Sequence, residues 1–144
     1  MVREFSNNEK GRTVLNTVTV VGNLTRDPEL RIFENGTVAN LGIAINESYK
    51  DKRSDEWKEI TTFMNLAVWG EQEADNVVES LKKGDRVLVS GKLKVRQWET
   101  DSGEKRQASE ISVQEIGPTL KWATTTGTRN AKKDRSRDPS QANF

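Results

Sequence analysis

The stretch Ile60 to Trp98, ITTFMNLAVWGEQEADNVVESLKKGDRVLVSGKLKVRQW, changes hydrophobic period twice, and those two changes decide the fold. Ile60 to Trp69 is rich in β-branched and aromatic residues, as a strand is. From Glu71 to Lys83 the apolar positions Ala74, Val77, Val78 and Leu81 fall at i, i+3, i+4 and i+7, the spacing of one helix face. Glu71, Glu73 and Asp75 lead that segment, Lys82 and Lys83 follow it, and Gly84 ends it, so its charges are expected to complement a helix dipole. Arg86 to Trp98 then returns to strand composition.

Working outward, Val14 to Leu24 (VLNTVTVVGNL) reads as a strand with a bend or bulge at Gly22. Asp27-Pro28 and Asn35-Gly36 mark turns, the second a strong hairpin signal before a strand from Thr37 to Tyr49. Lys50 to Glu59 is charged and unpatterned, hence a solvated loop. Downstream, Asp101-Ser102-Gly103 separates Arg86 to Trp98 from a last strand, Lys105 to Ile116. The order β-β-β-α-β-β predicts an all-β domain with one short helix: the OB-fold, a five-stranded Greek-key barrel.

Composition sets the rest. A length of 144 residues fits one domain. With 33% hydrophobic and 31% charged residues, the fold is expected in the middle of the chain between unstructured ends. The expected division is a flexible extension over 1–13, the barrel over 14–122 and a disordered basic tail over 123–144. That tail carries a net charge of +3 and the remainder −2, so a polyanion site in the folded part has to be a local patch. Cysteine and histidine are both absent, which excludes disulfides, thiolate and imidazole metal sites and Cys or His nucleophiles. No metal or other cofactor is expected. No apolar run approaches the roughly 18 residues of a membrane span, and Met1 to Thr13 is polar, so a cytoplasmic protein is expected. The N-x-[ST] triplets at Asn23, Asn35 and Asn46 are chance matches in such a protein.

Strand parity points to a binding face. Val87, Val89, Leu93 and Val95 share one side of their strand, whereas Lys92, Lys94, Arg96 and Trp98 share the other. Met64, Leu66 and Val68 take core parity on the strand before the helix, leaving Phe63, Asn65, Ala67 and Trp69 outside. An outward basic face is ordinary for a half-buried strand, but outward aromatics need a cover, either a subunit interface or the faces of nucleobases. Tyr49 shares the parity of Leu41, Ile43 and Ile45 and on pattern alone points to the core unless a bulge, or a strand end leaving the sheet, turns it out. Trp57 in the charged loop and Arg106 at the start of the last strand are secondary candidates, and Trp122 reads as packing.

The segments LNTVTVVGNLTRDPELR (Leu15 to Arg31), ENGTVANLGIAINESYKDK (Glu34 to Lys52), FMNLAVWG (Phe63 to Gly70) and LKKGDRVLVSGKLKVRQWETDSGEKR (Leu81 to Arg106) together resemble the bacterial-type single-stranded DNA-binding protein family. The resemblance covers about residues 14–117 and implies sequence-independent binding of single-stranded DNA in replication, recombination and repair, by a homotetramer. A phage-encoded member is one form it could take. It further implies stacking by Tyr49, Phe63, Trp69 and Trp98, and phosphate contacts from Arg31, Lys50, Lys52, Lys83, Lys94 and Arg96, to which the parity argument adds Lys92. Asn65, Glu71 and Gln97 stand where relatives often carry cations, so a weaker electrostatic contribution is expected. The family's acidic tip closing in Pro-Phe recruits replication and repair proteins. This sequence ends RSRDPSQANF, keeping Phe144 without an acidic run, and such recruitment is not expected.

Two other binding readings stay open on the sequence: an RNA- or tRNA-binding OB-fold, and a protein-interaction barrel. A carboxylate-dependent nuclease or glycosidase is disfavoured because the 22 acidic residues form no clustered motif, and no enzymatic activity is expected.

Overall fold

The computed structural model describes residues 2–4 and 16–131. Its elements are β1 (Val2–Glu4), β2 (Thr17–Leu24), β3 (Glu29–Phe33), β4 (Gly36–Lys50), β5 (Trp57–Trp69), α1 (Glu71–Ser80), β6 (Arg86–Glu99) and β7 (Lys105–Pro118). β4 and β5 form a long unbroken ladder, antiparallel from Val38↔Trp69 to Lys50↔Trp57 with no shift of register. β2 joins β4 through Leu24↔Ile43 and then runs along β6 from Thr17↔Lys92 to Asn23↔Arg86. β6 pairs with β7, and β7 meets β5 in parallel at Asn65↔Glu110 to Ala67↔Ser112, which closes the ring. A parallel pair needs a long crossover, here supplied by α1 and β6. The five barrel strands with α1 between the third and fourth are the OB-fold order anticipated from the sequence.

Closure turns alternate side chains inward. Leu41, Ile43, Leu66, Val87, Val89 and Ile111 are wholly buried, and burying each such side chain contributes about 1.5–3 kcal/mol. α1 adds the buried Ala74 and Val77 to the same cluster, and Leu81 joins it just past the helix. Gly70 caps the start of α1; its φ of 118° is open to glycine but strained for other residues, and its N–H donates to the Thr37 carbonyl at 3.0 Å.

Several expectations change. β3 occupies a segment read only as the space between two turns, and pairs with β4 from Glu29↔Asn40 to Phe33↔Gly36. The expected loop Lys50 to Glu59 shrinks to 51–56, because Trp57, Lys58 and Glu59 pair with Lys50, Tyr49 and Ser48. α1 ends at Ser80, since Leu81 is extended (φ −114°, ψ 149°), so Lys82 and Lys83 lie outside the helix. Their N–H groups bond instead to the carboxylates of Asp85 and Asp27. Val78 lies at the solvent edge of the helix. β2 runs past Gly22 without a bulge along β6. The glycine is needed because a Cβ there would meet the Ala44 carbonyl oxygen. The register shift falls at Ser90/Gly91 of β6.

At the ends, Val2–Glu4 pair with Trp98 to Arg96 as β1, within the segment expected to be flexible. The rest of that extension lies outside the described residues. Residues 123–131, expected to be disordered, run without helix or strand and are tied to α1 where Asn130 and Asn76 exchange amide hydrogen bonds of 2.8 and 3.2 Å. The remainder of the tail, 132–144, lies outside the described residues.

Candidate nucleic-acid interface

Register places residues on a common face without further assumption, because directly paired residues point the same way. Opposite the core, β5 presents Trp57, Thr61, Phe63, Asn65, Ala67 and Trp69, paired with Lys50, Asn46, Ala44, Gly42, Asn40 and Val38 of β4. β3 adds Arg31 and Phe33, paired with Val38 and Gly36. On the other flank of β5, β7 presents Glu110 and Ser112, and beyond them β6 presents Lys94 and Lys92. One level of this face therefore reads Gly42, Asn65, Glu110, Lys94.

The aromatic side chains on it are exposed: Phe63 and Trp57 at 72% and Trp69 at 50%. Trp69 is braced by Phe33, whose ring centroid lies 6.2 Å away at a tilt of 32°, so the two rings form one apolar platform at the β3 end. Phe33 was missed in the sequence because β3 was missed. The alternation in ELRIF, with Glu29, Arg31 and Phe33 on one side and Leu30 and Ile32 on the other, was the available signal.

Beyond Ala44 and Phe63 the β4–β5 ladder outruns the barrel and becomes a two-stranded arm, exposed on both faces from Asn46 to Thr62. Tyr49 rides on this arm. It keeps the core parity read from the sequence, yet it is 44% exposed because no core remains beneath it. No bulge turns it out, and it lies on the face opposite Trp57 and Phe63.

Charge at the tip of the arm is paired. Lys50 Nζ lies 3.1 Å from Asp55, and Lys58 Nζ lies 2.8 Å from Asp51. The Lys58 ammonium, and after it the Arg53 backbone N–H, hold the Asp51 carboxyl below its ordinary value. Lys52 is exposed in the turn between them.

Trp98 stands apart from this platform. It is half-buried at the far end of β6, in register with Arg106 of β7 and Val2 of β1, and lines a cleft of about 700 Å³ with Lys105 and Arg106. Arg106 is paired with Glu104 at 3.3 Å. The Arg96 backbone lies opposite Ala108, and its side chain lies outside the described part of the structure. Lys83 sits in the turn after α1, its backbone held by Asp27. Trp122 remains 73% exposed, its ring centroid 4.6 Å from the Arg86 guanidinium and 5.0 Å from the Lys121 ammonium.

Residues 15–119 fit the family model described as Single-strand binding protein family. The chain belongs to the single-strand binding protein family. Among members, a single-stranded DNA-binding protein of Paenarthrobacter aurescens is 51% identical over 122 residues, covering 83% of this chain and 67% of that one. A small single-stranded DNA-binding protein from Streptomyces coelicolor superposes with a TM-score of 0.60 at 30% identity, covering 72% of this chain and 94% of that one. A Plasmodium falciparum SSB solved in complex with ssDNA gives 0.65 at 29% identity, covering 74% and 94%. The chain spans about two thirds of the length of the curated relatives it matches.

Within this single-strand binding protein, the residues singled out in the sequence thus fall into three groups. Trp57, Phe63, Trp69, Lys50 and Arg31 share one continuous face, with Lys92 and Lys94 across β7. Tyr49 and Lys52 belong to the arm, and Trp98, Arg106 and the Arg96 backbone to the β6–β7 tip. Lys83 falls outside these groups, in the turn after α1. Among the described residues, no three His, Cys, Asp or Glu side chains are grouped to hold a metal ion, and no helix is long and apolar enough to cross a membrane.

Proposed function

We propose that this chain binds single-stranded DNA without sequence preference, in service of replication, recombination and repair, and carries out no reaction. The observation that carries this reading is the row Trp57, Phe63 and Trp69, exposed on one face of β5. Large exposed rings on a single strand suit unpaired bases, whose π-faces all stack for about 1–3 kcal/mol each whatever the sequence. Arg31 on one flank, and Lys92 and Lys94 on the other, supply cations for the phosphates. Family membership and the likeness to a relative solved with ssDNA support the same substrate.

The site extends, on this reading, to Tyr49 on the arm and Trp98 at the β6–β7 tip as stacking residues. Lys50, Lys52, Lys83, Arg96 and Arg106 then act as further phosphate contacts. The binding unit is residues 14–122, the assembly a homotetramer and the location the cytoplasm. Tryptophan fluorescence during titration with oligo-dT at low and high salt tests the proposal. Strong quenching by single strands, little by duplex and weakening by salt are expected; no quenching and no retention at low salt would overturn it.

A further inference from the structure

Gly42 leaves a notch in the middle of the outer face. A Cβ built there would meet the Thr25 hydroxyl oxygen and lie 2.8 Å from an Arg26 guanidinium nitrogen, so the side chains of the turn after β2 lie across the strand at this point. The turn is fixed in place: the Thr25 N–H donates to the Gly42 carbonyl at 2.9 Å, and Asp27 is held by the Lys83 N–H at 2.8 Å. Gly42 pairs directly with Asn65, and Phe63 is its diagonal neighbour on β5, about 7–8 Å away. Among the described residues no carboxylate pairs with Arg26, unlike Lys50, Lys58 and Arg106.

From this geometry we infer that Arg26, seated over Gly42, is a phosphate-binding residue of the single-strand site, and that Gly42 is the positioning residue that makes room for it. The inference rests on the proposed single-strand binding. A guanidinium over Gly42, one diagonal step from Phe63, is placed to bind a phosphate while the adjoining base stacks on the ring, and its fork of donors suits two phosphate oxygens. A carbon branch at Gly42 would displace the guanidinium without removing its charge.

The test is the salt dependence of oligo-dT binding by the full chain and by its Arg26→Ala, Arg26→Lys and Gly42→Ala variants. Arg26→Ala is expected to weaken binding several-fold and to lower the slope of log K against log salt by about 0.7, the release of one counterion from a single strand. Arg26→Lys should restore the slope, which a merely structural role would not do, and Gly42→Ala should lower it. Circular dichroism identifies a variant that has lost its fold, and the two Arg26 variants decide the matter if Gly42→Ala is one. Unchanged affinity and slope in Arg26→Ala, with the parent chain binding normally, would overturn this inference alone. Failure of the parent chain to bind oligo-dT would overturn it together with the reading beneath it.

Discussion

Tyr49 pairs with Lys58 across the β4–β5 arm, and this pairing turns it to the face opposite Trp57 and Phe63. A nucleic acid that touches both Tyr49 and Phe63 has to pass around the arm, so the two rings hold different nucleotides. Separate contacts without shared partners add in free energy to within about 0.3–0.5 kcal/mol. Tyr49→Ala and Phe63→Ala are therefore each expected to cost about 1–3 kcal/mol of oligo-dT binding, and the double variant the sum. Phe33 and Trp69, whose rings touch, should instead show clear non-additivity in the same titration.

On the proposed binding mode the arm also carries its own brake. Lys50 shares the face of Trp57 but is paired with Asp55, so a phosphate has to compete for it. Asp55→Asn removes the competitor. Asn is suited to this site, because Asp55 has a φ of 58° and Asn tolerates the left-handed region. The lost pair is exposed, and such pairs contribute about 0–1 kcal/mol to stability. Binding measured by salt titration is expected to tighten and its salt slope to steepen, with thermal unfolding nearly unchanged.

The sequence revealed the barrel because its strands are long and β-branched and because the period change at Glu71 is sharp. It hid β3, whose five residues are all exposed and so form no apolar run. It hid the arm because Trp57 to Glu59 pair through their backbone while their side chains remain solvated and polar in pattern. Parity located Phe63, Trp69, Lys92 and Lys94 correctly on the outer face, since alternation holds wherever a core lies beneath the strand. It put Tyr49 on the core side, which is the side it takes, but could not show that the core has ended there and that both faces meet solvent. Arg26 was invisible for another reason: its position depends on an absent side chain, at Gly42, rather than on any pattern of present ones.

Leu66 tests the packing that supports the platform. It is wholly buried on β5 between the outward-facing Asn65 and Ala67, paired with Leu41 and Ile111. Truncation to alanine removes transfer free energy and leaves a cavity, so Leu66→Ala is expected to destabilise the barrel by about 2–5 kcal/mol in urea unfolding. Binding per folded molecule should change little, since Leu66 does not reach the outer face.

Residues 123–131 provide the last test, because their described hold on the barrel is narrow. Side chains in this run are exposed, and the side-chain tie to the fold seen among the described residues is the pair of amide hydrogen bonds between Asn130 and Asn76. An exposed pair of this kind lends little to global stability, so Asn76→Ala is expected to leave the unfolding transition within about 0.5 kcal/mol of the parent chain. It should act locally instead. Arg129 lies directly before Asn130, and a protease needs its substrate released and extended, so brief trypsin treatment should cleave after Arg129 faster in Asn76→Ala than in the parent. Equal cleavage rates would mean that the amide pair does not hold the segment against α1.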